Sequence, residues 1–292
     1  MSGLLRLAFA LVAALWLSAC GGREAPTDRN WPEPAPALWE VTAPGGEKGW
    51  LFGTVHSLPE AVEWHSDAVD AAFAQSGLLV VEIAELGDTA QSFAAFQRHA
   101  YSPGLPPLLR RVPADRRDEL EALIEKAGGR EADYAEMKSW AAAMVLAGGV
   151  RIGDPERGID RQLLARGKAV EGLESYAAQF ALFDALPPSE QSDLLLAVAR
   201  EAAAPDPAAG LLHWLTGDMA ALEALGQAGI LGDPELRDAL MDGRNRAWIG
   251  QLAPLIDGGR RPFVAVGAAH MLGEAGLPAL LAARGYTVRR IQ

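Results

Sequence analysis

The sequence predicts an α/β domain: a central mixed sheet with flanking helices and a largely helical middle region covering the candidate site. Three observations carry that expectation. Short apolar runs of β character recur at 38–42, 50–52, 78–83, 169–173, 263–266 and 286–289. Segments with helical spacing of apolar residues lie between them, the pattern of a layered α/β architecture. The run Leu78-Leu79-Val80-Val81-Glu82-Ile83 does not alternate but is continuously apolar around its glutamate, as expected of a strand buried on both faces.

Composition narrows the class. The chain has 292 residues, of which 50% are hydrophobic and 22% charged, so it can bury a core and is neither disordered nor fibrous. Lys and Arg number 26 against 38 Asp and Glu, a formal net charge of −12, which leaves no basic footprint for nucleic acid. Cys20 is the only cysteine, so no disulfide framework exists.

The elements follow in chain order. Residues 1–19 have the form of a signal peptide, with Arg6 ahead of an apolar stretch at 7–17. That stretch is too short to span a bilayer, which takes ~20 residues as a helix. It ends in Leu17-Ser18-Ala19-Cys20, which resembles the bacterial lipobox and makes Cys20 the expected lipidation site. Gly21, rather than an acidic residue, follows the cysteine. The expectation is therefore a lipoprotein of the cell envelope, in the outer membrane and facing the periplasm, that meets the membrane through its lipid. Residues 20–36, rich in Gly, Pro and charge, read as a flexible tether, and 37–292 as a single domain.

Within that domain, Pro44-Gly45-Gly46 between the first two apolar runs signals a hairpin. Pro113 opens a helical segment with Leu120, Leu123, Ile124 and Ala127 on one stripe, closed by Gly128-Gly129. Met137, Trp140, Ala141, Met144 and Val145 form a second stripe. Pro187-Pro188-Ser189 starts a third helix, with Ser189 as its expected N-cap. From there to Leu255 the pattern is almost wholly helical, broken at Pro205-Asp206-Pro207 and Gly232-Asp233-Pro234.

Chemistry enters at the strand ends. Gly53-Thr54-Val55-His56 and Gly267-Ala268-Ala269-His270 are both Gly-x-x-His just past an apolar β run. Ligands of open α/β sheets collect beyond the carboxyl ends of strands, so the two histidines can share one site across two hundred residues of chain. Glu82, late in the most apolar strand, needs a partner, and by pattern that partner is a metal ion or a cationic side chain across the sheet end. Glu174 ends another strand and is a weaker candidate. Two histidines and a carboxylate form a ligand set that catalytic metals accept. His65, His99 and His213 read as surface or packing residues, Trp140, Trp214 and Trp248 as core, and Arg244-Asn245 by pattern as a solvated turn between helical stripes.

In order, LFGTVH, LLVVE, GID, KAVEGLES, GRN with Trp248, and VGAAHMLGEAGLPALLAARGYTV make the chain similar to the TraB/GumN family. That family belongs to a superfamily with the Tiki metalloproteases and the erythromycin-esterase-like and ChaN-like proteins. The resemblance runs from about Leu38 to the C-terminus and implies that His56 and His270 are the motif histidines and Glu82 the strand carboxylate. It implies polar support from Glu174, Arg244 and Asn245, and a structural part for Gly53 and Gly267. Met271 stands where Leu is more usual. Through the Tiki branch, the resemblance implies a divalent-metal-dependent hydrolase of peptides or proteins. Zinc, manganese and cobalt all suit its nitrogen-and-oxygen site. Glu82 is then ligand or general base. The competing expectations are a non-catalytic envelope protein that holds a peptide, a haem-like ligand or a metal in the same pocket, and an accessory factor whose pocket is vestigial.

Overall fold

Alternation of side chains along the three central strands of the sheet, with both faces buried, decides the architecture. The computed structural model describes residues 29–292; the expected signal peptide, Cys20 and the start of the tether lie outside the described residues. Strands β1 (Leu38–Thr42) and β2 (Lys48–Thr54) form the hairpin, pairing Leu38 with Phe52 and Thr42 with Lys48. Gly46, at φ 99°, supplies the left-handed residue of the turn.

Strands β3 (Leu78–Ile83), β4 (Val170–Glu174), β5 (Pro262–Gly267) and β6 (Thr287–Arg290) complete a six-stranded sheet in the order β4-β3-β5-β2-β1-β6. The pairings β4/β3, β3/β5 and β5/β2 are parallel, while β1 runs antiparallel to both of its neighbours. The sheet is mixed, as expected. Its consequence for function is that β4, β3, β5 and β2 are adjacent and deliver their carboxyl ends to one edge.

One face of the sheet presents Leu51, Val80, Val264 and Val266 to helices α11 (Gly243–Asp257) and α12 (Leu277–Ala283), through Trp248, Leu252, Ile256, Leu277 and Leu281. The other presents Phe52, Leu79, Val81, Phe263 and Ala265 to α1 (Asp67–Gln75), α5 (Ile159–Leu164) and α8 (Ala209–Leu215). Burying one such side chain contributes about 1.5–3 kcal/mol, so a strand covered on both sides gains from every residue.

The middle region builds a third core from helices. These are α2 (Thr89–Ala100), α3 (Arg117–Lys126), α4 (Ser139–Val150), α6 (Tyr176–Asp184) and α7 (Pro188–Ala202). Trp140 and Phe180 stack at its centre with Phe96 edge-on to both, and Ile83 at the end of β3 joins it to the sheet. Helices α9 (Met219–Ala228) and α10 (Pro234–Arg237) follow, then a π-helical turn at Asp238–Asp242 that runs directly into α11.

Two expectations are corrected. Ser189 is not the N-cap of α7: Pro188 takes the first helical position, Pro187 becomes the cap residue, and the Ser189 hydroxyl donates to Glu190 instead. Arg244-Asn245 is no solvated turn. Both residues lie in the first turn of α11, 8% and 1% exposed, because the polar face there turns inward to the sheet edge.

Candidate active site

The parallel order places Glu174, Glu82, the turn after Gly267 and the loop after Thr54 side by side along the edge. Gly53 lets β2 approach the turn that carries His270, since a Cβ there would lie 2.9 Å from Ala268 Cα. His270 sits in the short 3-10 turn Ala268–Met271 that follows β5.

Glu82 is 13% exposed and uses both carboxylate oxygens. The Gly267 N–H donates to Oε1 at 2.8 Å, and Arg244 Nη2 donates to Oε2 at 2.7 Å. Burial alone would raise its pKa. His270 when charged, the permanent Arg244 charge, the His56 charge and the Gly267 amide outweigh that and bring it down to about 2.

Arg244 comes from α11 and spends all five of its N–H donors. Nε and one Nη2 hydrogen meet Glu174 at 3.0 and 2.9 Å, and the other Nη2 hydrogen meets Glu82. The Nη1 hydrogens go to the Leu240 carbonyl at 3.0 Å and to His270 Nε2 at 3.2 Å. Trp248 lies under the guanidinium, 4.7 Å from its ring centre, and donates its indole N–H to Glu174 at 2.9 Å. Of the two partners open to Glu82 by pattern, the structure supplies the cationic side chain.

The two histidines have different surroundings and a shared design. Asn245 Nδ2 donates to the His270 and Ala275 carbonyls, so its Oδ1 must accept; it takes the His270 Nδ1 proton at 2.6 Å. His270 Nε2 is therefore the lone-pair nitrogen, turned toward Arg244 and 3.9 Å from Glu82 Oε1. Burial lowers the His270 pKa to about 4, with the Arg244 and His56 charges acting in the same sense against Glu82.

His56 is 59% exposed and donates Nδ1–H to Asp160 Oδ2 at 2.8 Å. Asp160, in the first turn of α5, is buried and takes the Thr54 hydroxyl on its other oxygen at 2.7 Å. Desolvation by the surrounding protein lowers the His56 pKa, but the Asp160 charge and hydrogen bond, with Glu82 beyond, override it and hold the imidazole at about 9. At neutral pH one histidine is charged and the other neutral.

These groups meet at Gly267. A Cβ built there would stand 3.2 Å from Glu82 Oε1, 3.5 Å from His56 Nε2 and 3.8 Å from His270 Cδ2. The missing side chain leaves the space that the three groups share. Both histidines fix Nδ1 on an acceptor, which is how ligating imidazoles are oriented, and the donors are nitrogen and oxygen. These are donor types that an ion of the zinc, manganese or cobalt kind accepts, and His56 Nε2, His270 Nε2 and a Glu82 oxygen are the atoms that would hold it. Their ligand atoms do not all lie within 4.8 Å of one another, a spacing that among the described residues Glu190, Asp193 and Asp233 reach. The three would therefore have to draw together, and His56 would have to lose its Nε2 proton. Holding an ion there would require His270 Nε2 to give up its contact with Arg244 Nη1.

Sequence reasoning missed Asp160. Its signal was Gly158-Ile159-Asp160: the Ile159 N–H donates to the Val55 carbonyl, and a Cβ on Gly158 would stand 2.6 Å from the His56 carbonyl oxygen. The three remaining histidines are elsewhere: His65 stacks on Trp64, His99 lies 3.4 Å from Asp184, and His213 lies 3.7 Å from Asp218. Glu190, Asp193 and Asp233 form a separate acidic group, with oxygens within 4.8 Å of one another, that no sequence motif marked.

A family model described as the TraB/PrgY/gumN family matches residues 37–290. The chain belongs to that family. Two relatives, from Shigella flexneri and Escherichia coli strain K12, both carry the name uncharacterized protein YbaP. Each is 27% identical over 269 residues, covering 84% of this chain and 92% of its own. No solved structure matches.

The His56–Asp160 pair yields a titration test. Its folded pKa lies above the unfolded value of 6.5, so its stabilisation is complete below that value and is lost as pH rises through about 9. In ion-free protein followed by NMR, Asp160→Asn should bring His56 from about 9 down to 6.5 or below. If His56 still titrates near 9 in the variant, Asp160 is not the group that holds its charge.

Proposed function

We propose that this chain is a divalent-metal-dependent hydrolase of peptide bonds. One observation carries the reading. His56 and His270 each tie Nδ1 to a fixed acceptor, and His56 Nε2, the His270 ring and Glu82 Oε1 converge on the gap at Gly267. An ion held there would polarise a scissile carbonyl and lower the pKa of water enough to supply a nucleophile near neutral pH. The chain's own residues do the positioning. Asp160, anchored by the Thr54 hydroxyl, orients His56; Asn245, anchored on two carbonyls, orients His270; Arg244 holds Glu82 and Glu174 in register at the sheet edge.

A second reading has its own support. With all five Arg244 donors satisfied, the two carboxylates already have a cation, so the site is complete as a folded structure without an ion. A non-catalytic envelope protein that holds a peptide or other ligand at the same place needs no more than that.

The readings separate on the purified full chain, screened against a peptide library with added manganese, cobalt or zinc. The hydrolase reading expects one bound ion per chain and cleavage that a chelator stops. His56→Ala and His270→Ala should each lower turnover by about 100-fold or more while the protein stays folded. Gly267→Ala, which keeps every donor but fills the gap, should do the same. Glu82→Gln should weaken ion binding if Glu82 is a ligand, and spare binding but lose turnover if it is the base. Full ion occupancy and full activity in both histidine variants would remove this site from the chemistry, and stoichiometric ion without cleavage would favour the binding protein.

We also propose that lipid on Cys20 anchors the chain to the cell envelope, at the outer membrane facing the periplasm. The support is the lipobox-like Leu17-Ser18-Ala19-Cys20 with Gly21 after it. Cys20→Ser should release the protein from the membrane fraction or leave it unprocessed. A variant that is processed and membrane-bound like the wild type would refute the anchor.

A further inference from the structure

Beside the His56 loop lies a cation that has no ion-pair partner among the described residues. Arg151 directly follows α4, and the residues after it are fastened to that loop. The Ser57 hydroxyl donates to the Ile152 carbonyl at 2.8 Å. Leu58 and Asp154 exchange two backbone hydrogen bonds, at 3.2 and 3.0 Å. Gly153 approaches so closely that a Cβ on it would stand 2.6 Å from the Leu58 carbonyl carbon. The Arg151 backbone is thereby held next to the His56 loop, near enough for its charge to act on His56.

Among the described residues, none accepts a hydrogen bond or ion pair from its guanidinium. The contrast with Arg244, which uses every donor, is complete. Nor is the cause a shortage of carboxylates, since the chain carries 38 acidic residues against 26 basic ones. Burial holds the Arg151 pKa below its ordinary value with no carboxylate raising it, and its charge opposes protonation of His56. A half-buried guanidinium without a carboxylate partner among the described residues keeps its donors free for an anionic ligand.

We propose that Arg151 forms a subsite for a carboxylate of the substrate, next to the reacting centre. This deepens the peptidase reading and rests on it for the identity of the substrate. One guanidinium is a planar fork that matches the two oxygens of one carboxylate. It stands at the carbonyl end of α4, not at a helix N-terminus where backbone amides converge on phosphate. A peptide offers that carboxylate at its C-terminus or on an acidic side chain.

The test measures binding and needs neither turnover nor an ion. Three fluorescent pentapeptides are titrated into the chelator-treated full chain: one with a free C-terminal carboxylate, its C-terminal amide, and an amide ending in Glu. At least one carboxylate probe should bind the wild type about tenfold or more tightly than the plain amide, and which one does so identifies the source. Arg151→Gln should erase the preference and Arg151→Lys should keep part of it. The melting temperature of Arg151→Gln should not fall, because no internal contact is lost; a structural residue would lower it. A preference unchanged in Arg151→Gln, or wild type that binds all three probes alike or not at all, overturns the proposal. Because no cleavage is read, failure of the hydrolase reading leaves this result standing. A working hydrolase that ignores the carboxylate would refute the subsite alone.

Discussion

Two carboxylates lie next to each other at the ends of adjacent parallel strands, and the Arg244 guanidinium between them is the interaction on which the rest of the site depends. Parallel pairing of β3 and β4 forces Glu82 and Glu174 to the same edge, largely out of water. Left unpaired, each would cost several kcal/mol. Arg244 reaches both, and in doing so docks the first turn of α11 against the sheet end. Asn245, the next residue, is thereby carried to His270, and Trp248, one turn on, to the guanidinium and the imidazole together. Removing Arg244 would leave both carboxylates buried without their shared cation, each keeping a neutral donor, the Gly267 amide for Glu82 and the Trp248 indole for Glu174. That is a loss of about 3–5 kcal/mol for a broken buried pair.

The asymmetry of the histidines follows from the same arrangement. His270 lies against a permanent cation and an indole, deep enough that its neutral form is favoured. His56 lies on the open side with a buried carboxylate behind it, so its charged form is favoured. Each nevertheless has its Nδ1 fixed by a residue that is itself anchored, Asn245 on two carbonyls and Asp160 on Thr54. The tautomer of His270 is thus set by the fold, and ligation by either ring would use Nε2.

Much of this was legible in the sequence, for a physical reason. A strand buried on both faces must be continuously apolar, so LLVVEI betrayed both its place in the sheet and the oddity of Glu82. The two Gly-x-x-His turns marked strand ends, and parallel topology brought them together. The pairings were not legible. Arg244 and Asn245 sit where helical periodicity of apolar residues lapses, and a polar cluster that satisfies itself inside the protein has the same pattern as a solvated turn. Asp160 was hidden likewise, because its partner His56 is a hundred residues away. Ser189 failed as a cap because Pro188, with its φ already suited to a helix, starts α7 one residue earlier.

The proposed ion site is the gap at Gly267, with His56, His270 and Glu82 around it. The measurement that bears on it most directly is anomalous diffraction from crystals of the full chain grown with manganese, cobalt or zinc, recorded at the edge of the added metal. One strong peak is expected beside Gly267, within ligand distance of His56 Nε2, His270 Nε2 and a Glu82 oxygen, with Arg244 no longer bonded to His270. A map without a peak there, with Arg244 still on His270 Nε2, would contradict it.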